Sequence, residues 1–170
     1  MDLASLVRNI PDFPVKGVQF KDVTTLLREP SAFRQAIADM AAPFVDKDIE
    51  LVAAVESRGF ILGAPVAYQL GAGFVPVRKL GKLPYDKIHE SYTLEYGAET
   101  LEMHRDALQP GQKVLIVDDL IATGGSARAT INLIERLGGD IRGLSFLIEL
   151  EFLKGRVRLD KYEVHSVIRY

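Results

Sequence analysis

Two adjacent carboxylates, Asp118 and Asp119, end an apolar run, and a loop of small residues, Ala122, Thr123, Gly124, Gly125 and Ser126, follows two positions later in "VLIVDDLIATGGSA". A strand that feeds a glycine loop opening into a helix aims several backbone N–H groups, and the positive end of the helix dipole, at one spot. That is an anion site, and phosphate is its natural occupant. Gly124 and Gly125 remove the Cβ atoms that would block close approach, while Thr123 and Ser126 add hydroxyl donors. Carboxylates beside a phosphate repel it unless they hold what is attached to it. Ribose hydroxyls would satisfy Asp118 and Asp119, and so would a hydrated divalent cation shared with the phosphates. Neither the GxxxxGK[ST] nor the GxGxxG pattern occurs, so the loop is not one of those two phosphate cradles. Read as composition alone, the same stretch is also an ordinary buried strand, a left-handed turn and a helix start with solvated acids.

The elements that must position this loop follow from periodicity. Residues 1 to 9 read as a short helix stopped by Pro11, and "PDFPVKGVQFKD" as an irregular segment punctuated by Pro and Gly. Apolar residues at helical spacing, Phe33, Ile37, Met40, Ala41 and Phe44, predict a helix over roughly 31 to 44. "LVAAV" (51–55) reads as a buried strand, "FILGAPVAYQL" (60–70) as a helix ended by Gly71, and "GFVPV" (73–77) as a second strand parallel to the first. The basic stretch "RKLGKLPYDKIHES" (78–91) lacks an apolar period and reads as a long exposed loop, a kind of segment that is usually functional in compact domains. "YTLEYGAETLEM" (92–103) alternates across Gly97-Ala98 as a hairpin would. "KVLIVDD" (113–119), a helix over 126–137, "RGLSFLIEL" (142–150) and "EVHSVIRY" (163–170) complete an α/β set: a mostly parallel sheet of about five core strands flanked by helices, in a single domain over 1–170.

Bulk properties limit the function. With 21 Lys and Arg against 23 Asp and Glu, the net charge of −2 offers no general basic surface for nucleic acid or anionic membrane. The chain has no cysteine, which excludes disulfides, thiolate chemistry and cysteine-based metal sites. The N-terminus lacks a signal-like pattern and no apolar run approaches the roughly 20 residues of a membrane span, so a cytoplasmic protein is expected. The histidines, His89, His104 and His165, are scattered and read as structural.

"VLIVDDLIATGGS" resembles the phosphoribosyl pyrophosphate (PRPP) signature of the type I phosphoribosyltransferase family. Further segments resemble its adenine phosphoribosyltransferase branch: "DFPVKGVQFKD" (12–22), "ESRGFILG" (56–63), "RKLGKLP" (78–84), "SYTLEYG" (91–97) and "LKGRVRL" (153–159). They occur in order from about residue 12 to 159. The resemblance implies the type I fold, with a small N-terminal hood over about residues 1–25 and a flexible catalytic loop and hairpin over 78–104. It also implies a homodimer.

The resemblance further implies a purine salvage reaction in which adenine and PRPP give AMP and pyrophosphate with Mg²⁺, the metal held mainly by PRPP oxygens and water rather than by a protein cage. It assigns the 5′-phosphate to Ala122, Thr123, Gly124, Gly125 and Ser126, and the ribose hydroxyls to Asp118 and Asp119. Pyrophosphate falls to Arg58, whose planar fork suits phosphate oxygens, and to Arg78, Lys79 and Lys82, with Arg58 and Lys82 also placed in catalysis. Glu95 is the implied proton donor or acceptor near the purine, with Tyr96 beside it. Gln19, Phe20 and Lys21 are the implied adenine contacts, Phe20 by stacking. Three positions depart from the family: Ser126 where Thr is usual, Lys21 where Arg is common, and Tyr85 where a small residue is frequent.

Rival readings are weaker on the same residues. A regulator built on this fold would carry an added DNA-binding segment. A receiver-type domain with a paired acid at a strand end leaves the T-G-G-S loop, "ESRGF" and "LEYG" without a purpose. Hypoxanthine, guanine or xanthine as the base is opposed by "SYTLEYG" and "DFPVKGVQF".

Overall fold

The computed structural model describes residues 1–94 and 97–170. Its centre is a seven-stranded sheet whose strands, in chain order, are β3 (Leu51–Val55), β4 (Gly73–Lys79), β5 (Lys87–Thr93), β6 (Ala98–His104), β7 (Lys113–Ile121), β8 (Asp140–Glu149) and β9 (Val164–Arg169). The spatial order is β5-β6-β4-β3-β7-β8-β9. Five of these strands, β4, β3, β7, β8 and β9, are parallel; β5 and β6 form an antiparallel hairpin at one edge. A separate antiparallel ribbon pairs β1 (Arg8–Pro11) with β2 (Gln19–Asp22).

The helices take both faces. Short α1 (Thr24–Leu27), α2 (Pro30–Ala41) and α3 (Arg58–Leu70) lie on one side, and α4 (Gly125–Arg136) on the other. Strand β7 explains the split, because its run of four consecutive apolar residues, 114–117, is buried and alternates sides: Leu115 and Val117 pack with Leu62 and Val66 of α3, whereas Val114 and Ile116 pack with Ile131 and Ile134 of α4. Each such side chain is worth roughly 1.5–3 kcal/mol of burial. Helix α3 stops at Gly71, which sits at φ 68° in the left-handed region as a helix C-cap often does. The β3–α3–β4 and β7–α4–β8 crossovers leave β3 and β7 side by side with helices on opposite faces. The carboxyl ends of those two strands form the switch point where open α/β sheets place ligands.

Four expectations need correction. The sheet has seven strands rather than about five, because β5 and β6 join it. The first nine residues are not a helix: only Ala4–Leu6 makes a 3-10 turn, and Arg8–Pro11 is already strand β1, zipped to β2 by backbone pairing and by an Arg8–Asp22 ion pair at 2.7 Å. The segment after Pro11 is correspondingly not irregular throughout, since it ends in β2. Finally, 78–91 is not one long loop. Strand β4 runs on to Lys79 and β5 begins at Lys87, so the connection is 80–86, and the hairpin begins well before residue 92.

Candidate active site

Strand β7 delivers Asp118 and Asp119 to the switch point, and the chain then turns through Ala122 and Thr123 into α4. Gly124 makes that turn at φ 82°. A side chain there would be strained by its backbone, and its Cβ would also lie 2.6 Å from the carbonyl oxygen of Gly155. The helix start lines a cleft of about 490 Å³, and the first N–H groups of a helix have no intrahelical partner. Loop residues Ala122, Thr123, Gly124, Gly125 and Ser126 form one wall. Thr123 is exposed to it, and Gly124 and Gly125 are buried backbone.

The opposite wall comes from the β3–α3 junction. Glu56, Ser57 and Arg58 line it, and the Glu56–Ser57 peptide is cis. Arg58 Nε donates to Asp119 Oδ2 at 2.5 Å. Asp118 accepts a hydrogen bond from the Asp119 backbone N–H at 2.9 Å. Gly59 lets α3 approach here, since a Cβ at that position would stand 2.7 Å from the Asp118 carboxylate. Burial, followed by the charge of Asp119, holds the Asp118 carboxyl well above the usual carboxylate range, against the opposing pull of the Arg58 guanidinium. Such a pair is costly to keep empty and ready to accept hydrogen bonds from hydroxyls.

Lys79, at the end of β4, brings a second cation to the cleft. Its ammonium lies 2.9 Å from Glu99. Glu99 also accepts from the Tyr92 hydroxyl at 2.6 Å, and the two bonds hold its carboxyl below the usual range, the Tyr92 bond first. Burial, then the Glu99 bond, raises the Tyr92 phenol. Tyr92 packs its ring against the start of α4, where a Cβ on Gly125 would lie 2.9 Å away. Tyr92 and Glu99 line the cleft, and sequence reasoning did not name either individually. Their pairing could not be read from the expected hairpin: a turn centred on Gly97-Ala98 would set Tyr92 opposite Met103, whereas the observed register sets it opposite Glu99.

Not every expected residue reaches the cleft. Arg78 lies just behind it, with Nε on Glu56 Oε1 at 3.2 Å and Nη1 on the Lys82 carbonyl at 3.3 Å. Glu56 completes that arrangement by accepting the Lys79 backbone N–H at 2.7 Å. Lys82 is exposed on the 80–86 connection and is not part of the cleft wall. Glu95 and Tyr96 lie outside the described residues.

A second cavity of about 410 Å³, lined by Ile10, Phe13, Phe20, Lys21 and Arg58 among others, adjoins the first. Phe20 meets Phe13 edge-on at 5.1 Å, and the Arg58 guanidinium lies 5.3 Å from the Phe20 ring centroid. Arg58 is thus common to both cavities. Lys21 lines the second cavity, but its ammonium sits 3.8 Å over the Tyr170 ring. The Gln19 side chain is exposed and accepts from Asn9 at 2.8 Å. In this conformation those two side chains are engaged by neighbouring residues.

For a metal, the donor set is sparse. Among the described residues no three His, Cys, Asp or Glu side chains converge. Asp118 and Asp119, both on the cleft, suit a hydrated cation that arrives with most of its own ligands.

The sequence and the fold are similar to those of known proteins. The phosphoribosyl transferase domain family matches residues 23–165. The adenine phosphoribosyltransferase of Thermotoga sp. (strain RQ2) is 56% identical over 170 residues, covering 100% of both chains. The crystal structure of adenine phosphoribosyltransferase from Rhodothermus marinus superposes with a TM-score of 0.95 at 54% identity, over 99% of this chain and 96% of that one. The Saccharomyces cerevisiae enzyme, complexed with an imino-altritol bisphosphate and adenine, matches with a TM-score of 0.92 at 39% identity, over 98% and 96% of the two chains. This chain therefore belongs to the adenine phosphoribosyltransferases, a branch of the phosphoribosyltransferase family.

Proposed function

We propose that the chain transfers the 5-phosphoribosyl group of PRPP to adenine, giving AMP and pyrophosphate, in purine salvage. The observation that carries this is one cleft at the β3–β7 switch point that joins an anion-binding loop, an acidic pair and the cations Arg58 and Lys79. Its likeness to the adenine-bound yeast enzyme supports adenine as the base.

In this reading the backbone of 122–126 and the Thr123 and Ser126 hydroxyls grip the 5′-phosphate, and Asp118 and Asp119 accept from the ribose hydroxyls. Adenine attacks C1′ as the bond to pyrophosphate breaks, through a state with oxocarbenium character. The protein's contribution is to hold the two reactants in line and to receive the charge that develops on the departing group. Arg58 and Lys79 receive that charge, and Lys82 joins them when the 80–86 connection closes over the cleft. Arg78, bonded to Glu56 and to the Lys82 carbonyl, orders that connection and adds positive charge behind it. Glu95 exchanges a proton with the base, with Tyr96 at its side. The hood, about residues 1–25, supplies Phe20 for stacking and Gln19 and Lys21 near the purine edge. Asp118 and Asp119 would hold a hydrated Mg²⁺ that arrives with PRPP, and the cation would supply positive charge for the pyrophosphate.

The protein is further read as a cytoplasmic homodimer. Ile61 and Tyr68 are exposed seven residues apart on α3, on one helix face, and Phe74 is exposed nearby on β4, packed on Phe60. An apolar group of that kind suits a subunit contact. No helix of the described residues is long and apolar enough to cross a membrane.

The test is a spectrophotometric assay with PRPP and Mg²⁺, offering adenine, hypoxanthine and guanine separately. AMP formation from adenine, lost in Asp119→Ala and Thr123→Ala, is the expected result. PRPP binding without turnover of any base would refute the reading and leave a sensor.

A further inference from the structure

The phosphate loop does not rest on its own helix alone. Its outer side lies against the backbone of Gly155, in the 3-10 segment Gly155–Leu159 that follows β8. The approach is closer than any side chain permits from either direction. A Cβ on Gly155 would stand 2.4 Å from the Ala122 carbonyl oxygen and 3.1 Å from the Gly124 nitrogen, while a Cβ on Gly124 would stand 2.6 Å from the Gly155 carbonyl oxygen. Two backbones in that relation set each other's position. Lys154, just before Gly155, takes a left-handed conformation at φ 54°, which a non-glycine residue keeps only when its surroundings impose it.

Arg156, on the far side of Gly155, supplies the imposition. It forks onto Glu149, with Nε on Oε1 at 2.6 Å and Nη2 on Oε2 at 2.7 Å. The same guanidinium donates to the Val164 carbonyl at 2.6 Å and to Ser166 Oγ at 3.3 Å. Glu149 is the last residue of β8 and its side chain is only 5% exposed. Four bonds from one planar group therefore tie the segment carrying Gly155 to β8 and β9 of the central sheet. A lysine could meet one of these acceptors but not the whole fork.

We propose that Arg156, through its fork on Glu149, is a positioning residue for the reaction: it fixes Gly155 as the backing that holds the 122–124 phosphate loop in its phosphate-binding shape. Arg156 does not line the cleft. Its effect falls on the phosphate and not on the base. The inference rests on the reading of 122–126 as the 5′-phosphate site.

The test compares calorimetric affinities for AMP and adenosine, which differ only by the 5′-phosphate, in wild type, Arg156→Ala, Arg156→Lys and Gly155→Ala, with a melting curve for each. In Arg156→Ala and Gly155→Ala the AMP affinity is expected to fall between roughly tenfold and a hundredfold, the scale of a misplaced positioning group, while adenosine changes little. Arg156→Lys should lie in between. The KM for PRPP should rise correspondingly, with the KM for adenine preserved. Folded variants that keep the wild-type ratio of AMP to adenosine affinity overturn the proposal, as does an equal loss for both ligands. If Arg156→Ala does not fold, Arg156→Lys and Gly155→Ala decide by the same ratio. A wild-type protein with no preference for AMP over adenosine would instead refute the phosphate site itself.

Discussion

Replacing Arg58 by alanine should damage the fold as well as the chemistry, and a second substitution should repair only the fold. The Arg58–Asp119 contact is 2.5 Å long, with the arginine side chain 47% exposed and the aspartate 8% exposed. Removing one partner of a fully buried ion pair costs about 3–5 kcal/mol, because the other charge is stranded. Arg58 is half in solvent, which screens the pair, so about 2 kcal/mol is the discounted figure. For a chain of this length that corresponds to a melting temperature lower by roughly 4–8 °C. Most of the cost is the stranded carboxylate beside Asp118. Asp119→Asn in the Arg58→Ala background should therefore recover most of the loss, although the double variant stays inactive. Differential scanning calorimetry of the four proteins at neutral pH, without ligand, completes the cycle. An Arg58→Ala protein that melts with wild type, or a loss undiminished by Asp119→Asn, would refute the electrostatic account of this wall.

Three further outcomes follow. Asp118→Asn should remove activity yet stabilise the ligand-free protein by about 1 kcal/mol at neutral pH, a usual gain when a strained functional group is relieved. The sign follows from the raised carboxyl: its charge costs stability above the folded-state pKa, and the wild type recovers as pH falls towards the ordinary value of 3.8. Melting curves from pH 8 to pH 4 should accordingly converge, and a constant offset would contradict this. Tyr92→Phe removes the donor to Glu99, a charge-assisted bond worth about 1.5–3 kcal/mol, and should raise the KM for PRPP by freeing Glu99 to hold Lys79 more tightly. An unchanged KM would show that the Lys79–Glu99 pair does not compete with the ligand. Glu149→Gln should flatten the acid limb of the stability curve. Burial raises the Glu149 carboxyl, but bonds from Arg156 and Ser166 and the charges of Arg156 and Arg169 outweigh it and leave it below its ordinary value of 4.5. The stabilisation is present above that value and is lost as pH falls through the lowered one. Acid unfolding followed by circular dichroism reads it.

Legibility in the sequence divides along the distance over which each requirement acts. The acidic pair, the loop and helix α4 are local: strand burial, turn and helix start all fall within 14 consecutive residues, and each demands a residue type that the sequence displays. Strand β5 was hidden because it is an edge strand, with Lys87, His89, Glu90 and Ser91 diluting the apolar alternation that Ile88 and Tyr92 carry. Strand β1 was hidden because Arg8–Pro11 has no buried face, and pairing with β2 alone holds it. Lys21 illustrates a third limit. Its neighbour Tyr170 is far along the chain, and no local pattern announces that an ammonium will lie over that ring.

Arg58 stands as the common wall of both cavities, touching Asp119 on one side and the Phe20 ring on the other. A single inhibitor that joins a purine fragment to an iminosugar phosphate would meet that guanidinium at both of its ends. The free energies of the two fragments should then not add, because each end changes the surroundings of the one side chain that the other end also meets.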